Sequence, residues 1–565
     1  MKKVGKIILI LVVLVLVLQI AGIALLYFAR RIKPDTVLTM RIEGSVSEQA
    51  PQDVLTDLLA GGTTTVTDIV EALDRAQNDP RITGVFLRVS ESTMSMGKLQ
   101  EVRNKIQEFN RSGKFSVAYL EFGTNRSYYL ASTCKTVILL PKSLLYIRGM
   151  MASSTFFRGF LDKLGIYPDL LHIGEYKNAS NIFTEKKYTP AHREATETLL
   201  GDWFQEYLAG IAESRGLDPE EVKKLVEKGP LSSEEARAAR LVDRVAYQDE
   251  AEEFVKQKNH GSDHRIRLRD YLDRTERDGH EKLAVIYATG MIMPGRSGGS
   301  PGGETTLGSE TMSEQFRRVR DDKAIKAVIL RIDSPGGSAY SSEVIRREVE
   351  ITRRKKPVVV SMSDVAASGG YWIAMSADKI IAQPGTVTGS IGVITGKFNI
   401  KGLFEKLGMT KDLVTTTENS TLDWPFQNYS PAQRESVQKN MRDIYNDFLS
   451  GVAAGRHMKV EDVDKIAQGR VWTGERALKL GLVDEMGGLD AAIAAAKQLA
   501  KIPKQEEVSL LFLPPTKSIL EKIRDLMDYT GVLSDAASPR TWLRQLEALS
   551  RERVWAILPS VPEVE

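Results

Sequence analysis

In the stretch MSDVAASGGYWIAM, residues 362–375, Ser368 stands between two alanines and two glycines, shortly after an apolar β-branched run. A serine hydroxyl is a poor nucleophile until a neighbouring base takes its proton, and the usable bases are histidine, carboxylate or a neutral lysine. No histidine lies in this stretch or in GEYKNAS, residues 174–180, which carries Lys177. Serine and lysine form a known variant of the catalytic triad, provided that the amine first loses its charge. A reference lysine pKa of about 10.4 has to fall to roughly 7–8 for work near neutral pH, and burial in an apolar cleft has that effect. A third stretch, RIDSPGGS at 331–338, offers a place for developing negative charge. Gly336 and Gly337 let backbone N–H groups approach an oxyanion without Cβ obstruction, and Gly369, directly after Ser368, supplies a further donor. Taken singly, each stretch has an ordinary alternative: an N-cap serine at a tight turn, a surface lysine, a Pro-Gly turn ending a strand.

These groups need elements to hold them. Pro357–Val360 reads as a short buried strand and Tyr371–Met375 as a short helix with an apolar face, so Ser368 falls at a strand-to-helix turn, at the positive end of the helix dipole. Further back, ITGVFLRVSEST at 82–93 lies on IKAVILRIDSPG at 325–336 with a constant offset of 243. The same offset sets Leu130-Ala131 on Ile373-Ala374, Pro141 on Pro384 and Leu164-Gly165 on Leu407-Gly408. The chain therefore reads as two copies of one domain, 36–250 and 282–503, with an N-terminal segment 1–35, a charged linker 251–281 and an extension 504–565. Each copy alternates short apolar strands (Gly84–Val89 and Val137–Leu140; Ala327–Ile332 and Lys379–Ala382) with helical patterns such as Met312–Val319 and Glu343–Thr352. That alternation predicts an α/β fold of parallel strands covered by helices. The copies differ where chemistry would sit: Ser368 faces Asn125, DSPGGS faces SESTMS at 90–95, and Lys177 faces Ser420.

Composition narrows the function classes. With 565 residues, 42% hydrophobic and 27% charged, the chain is a folded protein of two or three cores. Its net charge of +3 is small and the charges are interspersed, so no nucleic-acid partner is expected. Cys134 is the only cysteine, which excludes an internal disulfide and every multi-cysteine metal site. His260 and His264 lie in the charged stretch and read as solvated linker residues, so no metal is expected. GKF at 396–398 lacks the flanking residues of a phosphate loop. At the N-terminus, Lys2, Lys3 and Lys6 precede an uncharged run of 22 residues, Ile7 to Phe28, followed by Arg30, Arg31 and Lys33. Such a helix spans about 33 Å, enough for a bilayer core. Without an A-x-A-like cleavage site it reads as an uncleaved anchor, and the flanking charges leave its direction open. In the extension, LLFLPP and SILEKIRDLMDYTG suggest a packing helix more than a membrane-surface or oligomer contact.

Together, RIDSPGGS, AASGGYW, PGTVTGSIGV and GEYKNA resemble the long, two-repeat form of the signal peptide peptidase A (protease IV) family, from the anchor to about residue 503. The resemblance implies a Clp protease/crotonase-like fold for each repeat, with Ser368 as nucleophile, Lys177 as general base, and Gly336 and Gly369 as oxyanion donors. By the same resemblance Ser390, in TGS, hydrogen-bonds the lysine amine. It further implies a homotetrameric bowl on the outer face of the bacterial inner membrane, acting on signal peptides left after secretion, with no cofactor. The sequence departs from the family in SDVAAS before the serine, where glycine is common nearby, and in the extension. The expected activity is that of a membrane-anchored serine endopeptidase for short, extended, apolar peptides. Two rivals stand beside it. A crotonase-type acyl-CoA enzyme also holds an oxyanion on backbone N–H groups, but needs neither an anchor nor a serine-lysine pair. A catalytically dead membrane scaffold is suggested by the loss of the motif from one repeat.

Overall fold

The structure is a computed structural model describing residues 31–49, 64–275, 279–299, 305–515, 555–557 and 563–564. The apolar run Ile7 to Phe28 and the amphipathic stretch 518–531 lie outside the described residues. Among those described, no helix is long and apolar enough to cross a membrane.

Strands buried on both faces read as near-continuous apolar runs, and the centre of each repeat is built from such runs. The first sheet has six parallel strands in the order Arg244–Val245, Thr136–Leu139, Phe115–Leu120, Ile82–Ser92, Thr36–Gly44, Arg265–Arg267. The second runs Val471–Thr473, Val387–Gly389, Val358–Ala367, Ile325–Ser334, Glu281–Thr289, Val508–Leu513, with Lys379–Ala382 also paired to Val358–Ala367. Only Val471–Thr473 pairs antiparallel along that path. Helices pack on the sheets by amphipathic faces. In Val66–Asn78 the buried residues Ile69, Val70, Leu73 and Ala76 recur at helical spacing, and the helix starts in a capping box between Thr65 and Asp68. The repeat offset reappears in three dimensions: Val66–Asn78 is matched 243 residues on by Ser309–Asp321, and Met96–Arg111 by Ala339–Arg353. The α/β class and the internal duplication expected from the sequence are thus both present.

Two segments differ from the sequence reading. The charged stretch 251–281 is not a free linker. It carries most of the helix Gln248–Lys258, the strand Arg265–Arg267 on the edge of the first sheet, and the helix Leu268–Leu272. Of its apolar residues, Ala251, Val255, Ile266, Leu268 and Tyr271 are buried and Phe254 and Leu272 half-buried, while His260 and His264 stay at the surface beside Asp35 and Pro34. The LLFLPP run of the extension is not helical either, because Val508–Leu513 pairs in parallel with Glu281–Thr289 and closes that edge of the second sheet.

A third sheet ties the repeats together. Tyr167–Ile173 of the first pairs antiparallel with Val393–Asn399 of the second over seven residue pairs, from Tyr167 opposite Asn399 to Ile173 opposite Val393. In the same sheet Gly336–Ser338 and Val393–Asn399 lie on either side of Trp555–Ile557. The interface also buries charge. Arg331 is fully buried and donates to Glu48 (2.7 and 3.0 Å) and Glu101 (2.6 Å), both from the first repeat, and to Ser361 (2.8 Å). Burial by itself would raise the Glu48 carboxyl, but the Arg331 guanidinium, helped by Lys98, holds it down at about 2.

Candidate active site

The strand Val358–Ala367 delivers Ser368 to a turn from which the helix Gly369–Ala374 departs. Ser368 is fully buried at φ 54° and ψ −112°, a backbone conformation that a non-glycine residue occupies only when its surroundings enforce it. The enforcing contacts are its N–H to the Gly389 carbonyl (2.8 Å) and its own carbonyl, which accepts from Trp372 N (2.8 Å). Glycine is required next to it. A Cβ on Gly369 would sit 2.6 Å from Ser342 Oγ and 3.1 Å from both Gly336 Cα and Gly337 N, so the two donor stretches touch directly across Ser368. Gly337 is equally constrained: at φ 155° its Cβ would lie 2.0 Å from the Ile292 carbonyl. Of the candidate donors, Gly336 N–H is directed to Ser334 Oγ (3.2 Å), whereas Gly369 opens a helix and has no intrahelical acceptor.

Lys177 enters from the other repeat. The pairing of Ile173 with Val393 brings two chain segments alongside, and Lys177 lies four residues beyond one end while Ser390 lies three before the other. The loop Gln468–Arg470 clamps both. The Gln468 carbonyl accepts from Tyr176 N (2.8 Å) and the Arg470 carbonyl from Ser390 N (2.7 Å). A Cβ on Gly469 would come within 2.5 Å of Lys177 Cβ, so only glycine lets this loop close on the lysine. Lys177 Nζ then lies 2.8 Å from Ser368 Oγ, 2.9 Å from Ser390 Oγ and 3.0 Å from the Ser390 carbonyl. All three residues are fully buried, and burial pushes the Lys177 ammonium well below its ordinary value.

That geometry suits a neutral amine. An uncharged lysine has two N–H bonds and one lone pair; the two Ser390 oxygens accept the N–H bonds, and the lone pair is left facing the Ser368 hydroxyl. An amine so placed can take the hydroxyl proton as the oxygen attacks an electrophile.

The sequence-derived residues Ser368, Lys177, Ser390, Gly336, Gly337 and Gly369 are therefore brought into one neighbourhood. Sequence reasoning missed the Gln468–Arg470 clamp, whose residues carry no motif and acquire meaning only through the fold. At the counterpart position of the first repeat, Asn125 Oδ1 accepts from Arg148 N (2.9 Å) and borders a cleft of about 600 Å³ lined by Met94, Tyr146, Met150 and Trp203 among others. The cleft persists there with the Asn125 amide at the position that Ser368 holds in the second repeat.

A duplicated α/β protein that buries a serine against a lysine falls in the class of serine hydrolases. The chain belongs to peptidase family S49, whose family model matches residues 108–261 and 350–503, once in each repeat. It is a serine peptidase of the long, two-repeat kind. It is 33% identical over 507 residues to the chloroplastic serine protease SPPA of Arabidopsis thaliana, covering 87% of this chain and 73% of that one. It is 34% identical over 475 residues to Protease 4 of Salmonella typhi, covering 81% and 75% respectively. A ClpP1 mutant from Listeria monocytogenes aligns over 38% of this chain and 95% of its own at 14% identity, with a TM-score of 0.24.

Proposed function

We propose that the chain is a membrane-anchored endopeptidase in which Ser368 is the nucleophile and Lys177 its general base. The observation that carries this reading is the 2.8 Å contact between Lys177 Nζ and Ser368 Oγ, with both groups shut away from water. Lys177 removes the Ser368 proton as Oγ bonds to the peptide carbonyl carbon. The oxyanion is received by backbone N–H groups of Gly369 and of the Gly336–Gly337 stretch. Lys177, now an ammonium held by Ser390, gives its proton to the departing amine, and an acyl-enzyme remains. Water then attacks the ester carbonyl, Lys177 takes the water's proton, and its return to Ser368 Oγ frees the acid.

A peptide substrate is supported by the segment Trp555–Ile557. Its backbone lies antiparallel along Gly336–Ser338, with Ile557 opposite Gly336, while Trp555 faces Ile394 on the other side. The slot beside Ser368 thus accommodates an extended backbone, the form in which peptides bind by strand addition. A dry site that keeps Lys177 neutral favours apolar peptides over charged ones. The family resemblance supports the remainder: Clp protease/crotonase-like repeats, an anchor formed by Ile7 to Phe28, a homotetramer on the outer face of a bacterial inner membrane, and spent signal peptides as substrates. The test is hydrolysis of a synthetic signal peptide by the vesicle-reconstituted protein, with cleavage sites mapped by mass spectrometry. Ser368→Ala and Lys177→Ala should each lower the rate by roughly 10⁴–10⁶-fold. Parent-like cleavage by Ser368→Ala would remove the nucleophile from the reading, and equal turnover of matched apolar and acidic peptides would remove the substrate class.

A further inference from the structure

The strand carrying Ser368 is bulged just before the serine. Ile332 pairs with Met362, but the next pair is Ser334 with Ala366, so two residues on one strand span four on the other. Bulges of this kind re-aim the residues that follow. Two carboxylates sit at this one. Asp333 Oδ1 accepts from Val365 N at 3.2 Å, and Asp364 belongs to the bulge itself. Asp333 stands three residues before Gly336 and Asp364 four before Ser368, so their separation sets the donor stretch against the serine.

Like charges so close would push these strands apart, and the first repeat supplies the compensation. The helix Met96–Arg111 abuts the bulge so tightly that a Cβ on Gly97 would be 2.7 Å from the Ser363 carbonyl. From the next position, Lys98 Nζ reaches Asp333 Oδ2 at 2.6 Å and Asp364 Oδ2 at 3.4 Å. The start of the same helix also caps Asp364, through Lys98 N (2.8 Å) and Ser95 N (3.2 Å). Glu48, paired to Arg331 and bonded to Ser363 Oγ, is the other carboxylate whose field reaches Lys98. At the repeat offset Lys98 faces Ser341, Asp333 faces Ser90 and Asp364 faces Glu121, so the cluster occurs once in the chain, at the copy that carries Ser368.

We infer that Lys98 is a positioning residue for the peptidase site. Its ammonium balances Asp333 and Asp364 across the bulge and thereby holds Ser368 in register with the Gly336–Gly337 donors. The inference rests on the Ser368/Lys177 reading. Burial already lifts the Asp364 carboxyl to about 6 against the pull of Lys98. Without that ammonium one carboxyl must take up a proton or the bulge must open.

The test uses the full-length protein with Lys98→Met, Lys98→Arg, Asp364→Asn and the double variant Lys98→Met/Asp364→Asn, beside Ser368→Ala and Lys177→Ala. A displacement of about 1 Å at the reacting atoms costs on the order of 10²-fold. Lys98→Met should therefore lose about 10–100-fold in kcat with little change in KM. Lys98→Arg should restore most of the rate. The ratio of Lys98→Met to parent kcat should climb as pH falls from 9 towards 6, because protonation of a carboxyl replaces the missing cation. The requirement for neutral Lys177 is common to both proteins and cancels in that ratio. The double variant, with one carboxylate neutralised, should be faster than Lys98→Met. Parent-like kcat in Lys98→Met overturns the inference, and so does a loss that is the same at every pH and unrelieved by Asp364→Asn. If Lys98→Met does not accumulate folded, the double variant decides: kcat within about tenfold of the parent supports the inference, and kcat as low as Ser368→Ala overturns it. Failure of the dyad reading looks different, since Ser368→Ala or Lys177→Ala would then retain the parent rate whatever Lys98 does.

Discussion

Lys177 is kept where a charged ammonium is costly. It is fully buried, and among the described residues its Nζ bonds run to Ser368 and Ser390. Its folded-state pKa is depressed, so the sign of the pH dependence follows. Below the folded pKa the lysine is protonated in both states. Between that value and about 10.4 the unfolded chain holds the proton and the folded one does not, so stability rises with pH across the window. Activity should rise through the same depressed value. We expect kcat/KM to reach its plateau well below pH 10, and a pH-rate midpoint near 10 would contradict a buried neutral base. We also expect Lys177→Met to be inactive yet to melt a few degrees higher than the parent at neutral pH by calorimetry, each kcal/mol gained being about 2–4 °C in domains of 150–250 residues. An unchanged or lower melting temperature would show that the three lost hydrogen bonds outweigh the relief of burial. At this scale much was legible in the sequence, because Ser368, Lys177 and the glycines each sit in a locally unusual string. Lys98 and Gly469 were not, since an ordinary helix lysine and a loop glycine gain their partners from segments far along the chain.

At the scale of elements, strand pairing and buried charge hold the repeats in one arrangement. Arg331 meets Glu48 and Glu101 of the first repeat, and neutralising Glu101 leaves the Arg331–Glu48 pair but weakens a charge-assisted hydrogen bond in a dry interface. Glu101→Gln should lower unfolding free energy by about 1.5–3 kcal/mol in a denaturant titration, whereas Glu91→Gln, in an exposed position, should stay within about 0.5 kcal/mol of the parent. Similar small losses for both would mean that Glu101 is dispensable to the interface. Alternating apolar strands and amphipathic helices announced the α/β class and the duplication. The stretch 251–281 misled because its charges outnumber its core residues: Ile266 is buried while the arginines on either side of it are exposed, so a three-residue edge strand looks like linker. LLFLPP misled differently, since a short apolar run has no period by which to separate strand from helix.

For the whole molecule, the placement of Trp555–Ile557 against Gly336–Ser338 predicts competition with substrate. A chain ending at residue 515 keeps the edge strand Val508–Leu513 and should show a lower KM at similar kcat. A synthetic peptide of residues 551–561 should inhibit that shortened chain competitively; no effect of either change on steady-state kinetics would mean that substrate binds elsewhere. The joining of the repeats has a consequence in time as well as in space. Lys177 is synthesised long before Ser368, and the loop that shuts it in, Gln468–Arg470, comes later still. If Lys177 is the base for Ser368, then until that loop and the strand Val393–Asn399 have emerged the lysine is open to water and the serine has no base. On the Ser368/Lys177 reading, a nascent polypeptide from which that loop has not yet emerged is inert, and a chain truncated before the loop stays so. On that reading proteolytic power arrives with the last part of the second repeat, and synthesis of that part does the work that removal of a pro-segment does in a zymogen.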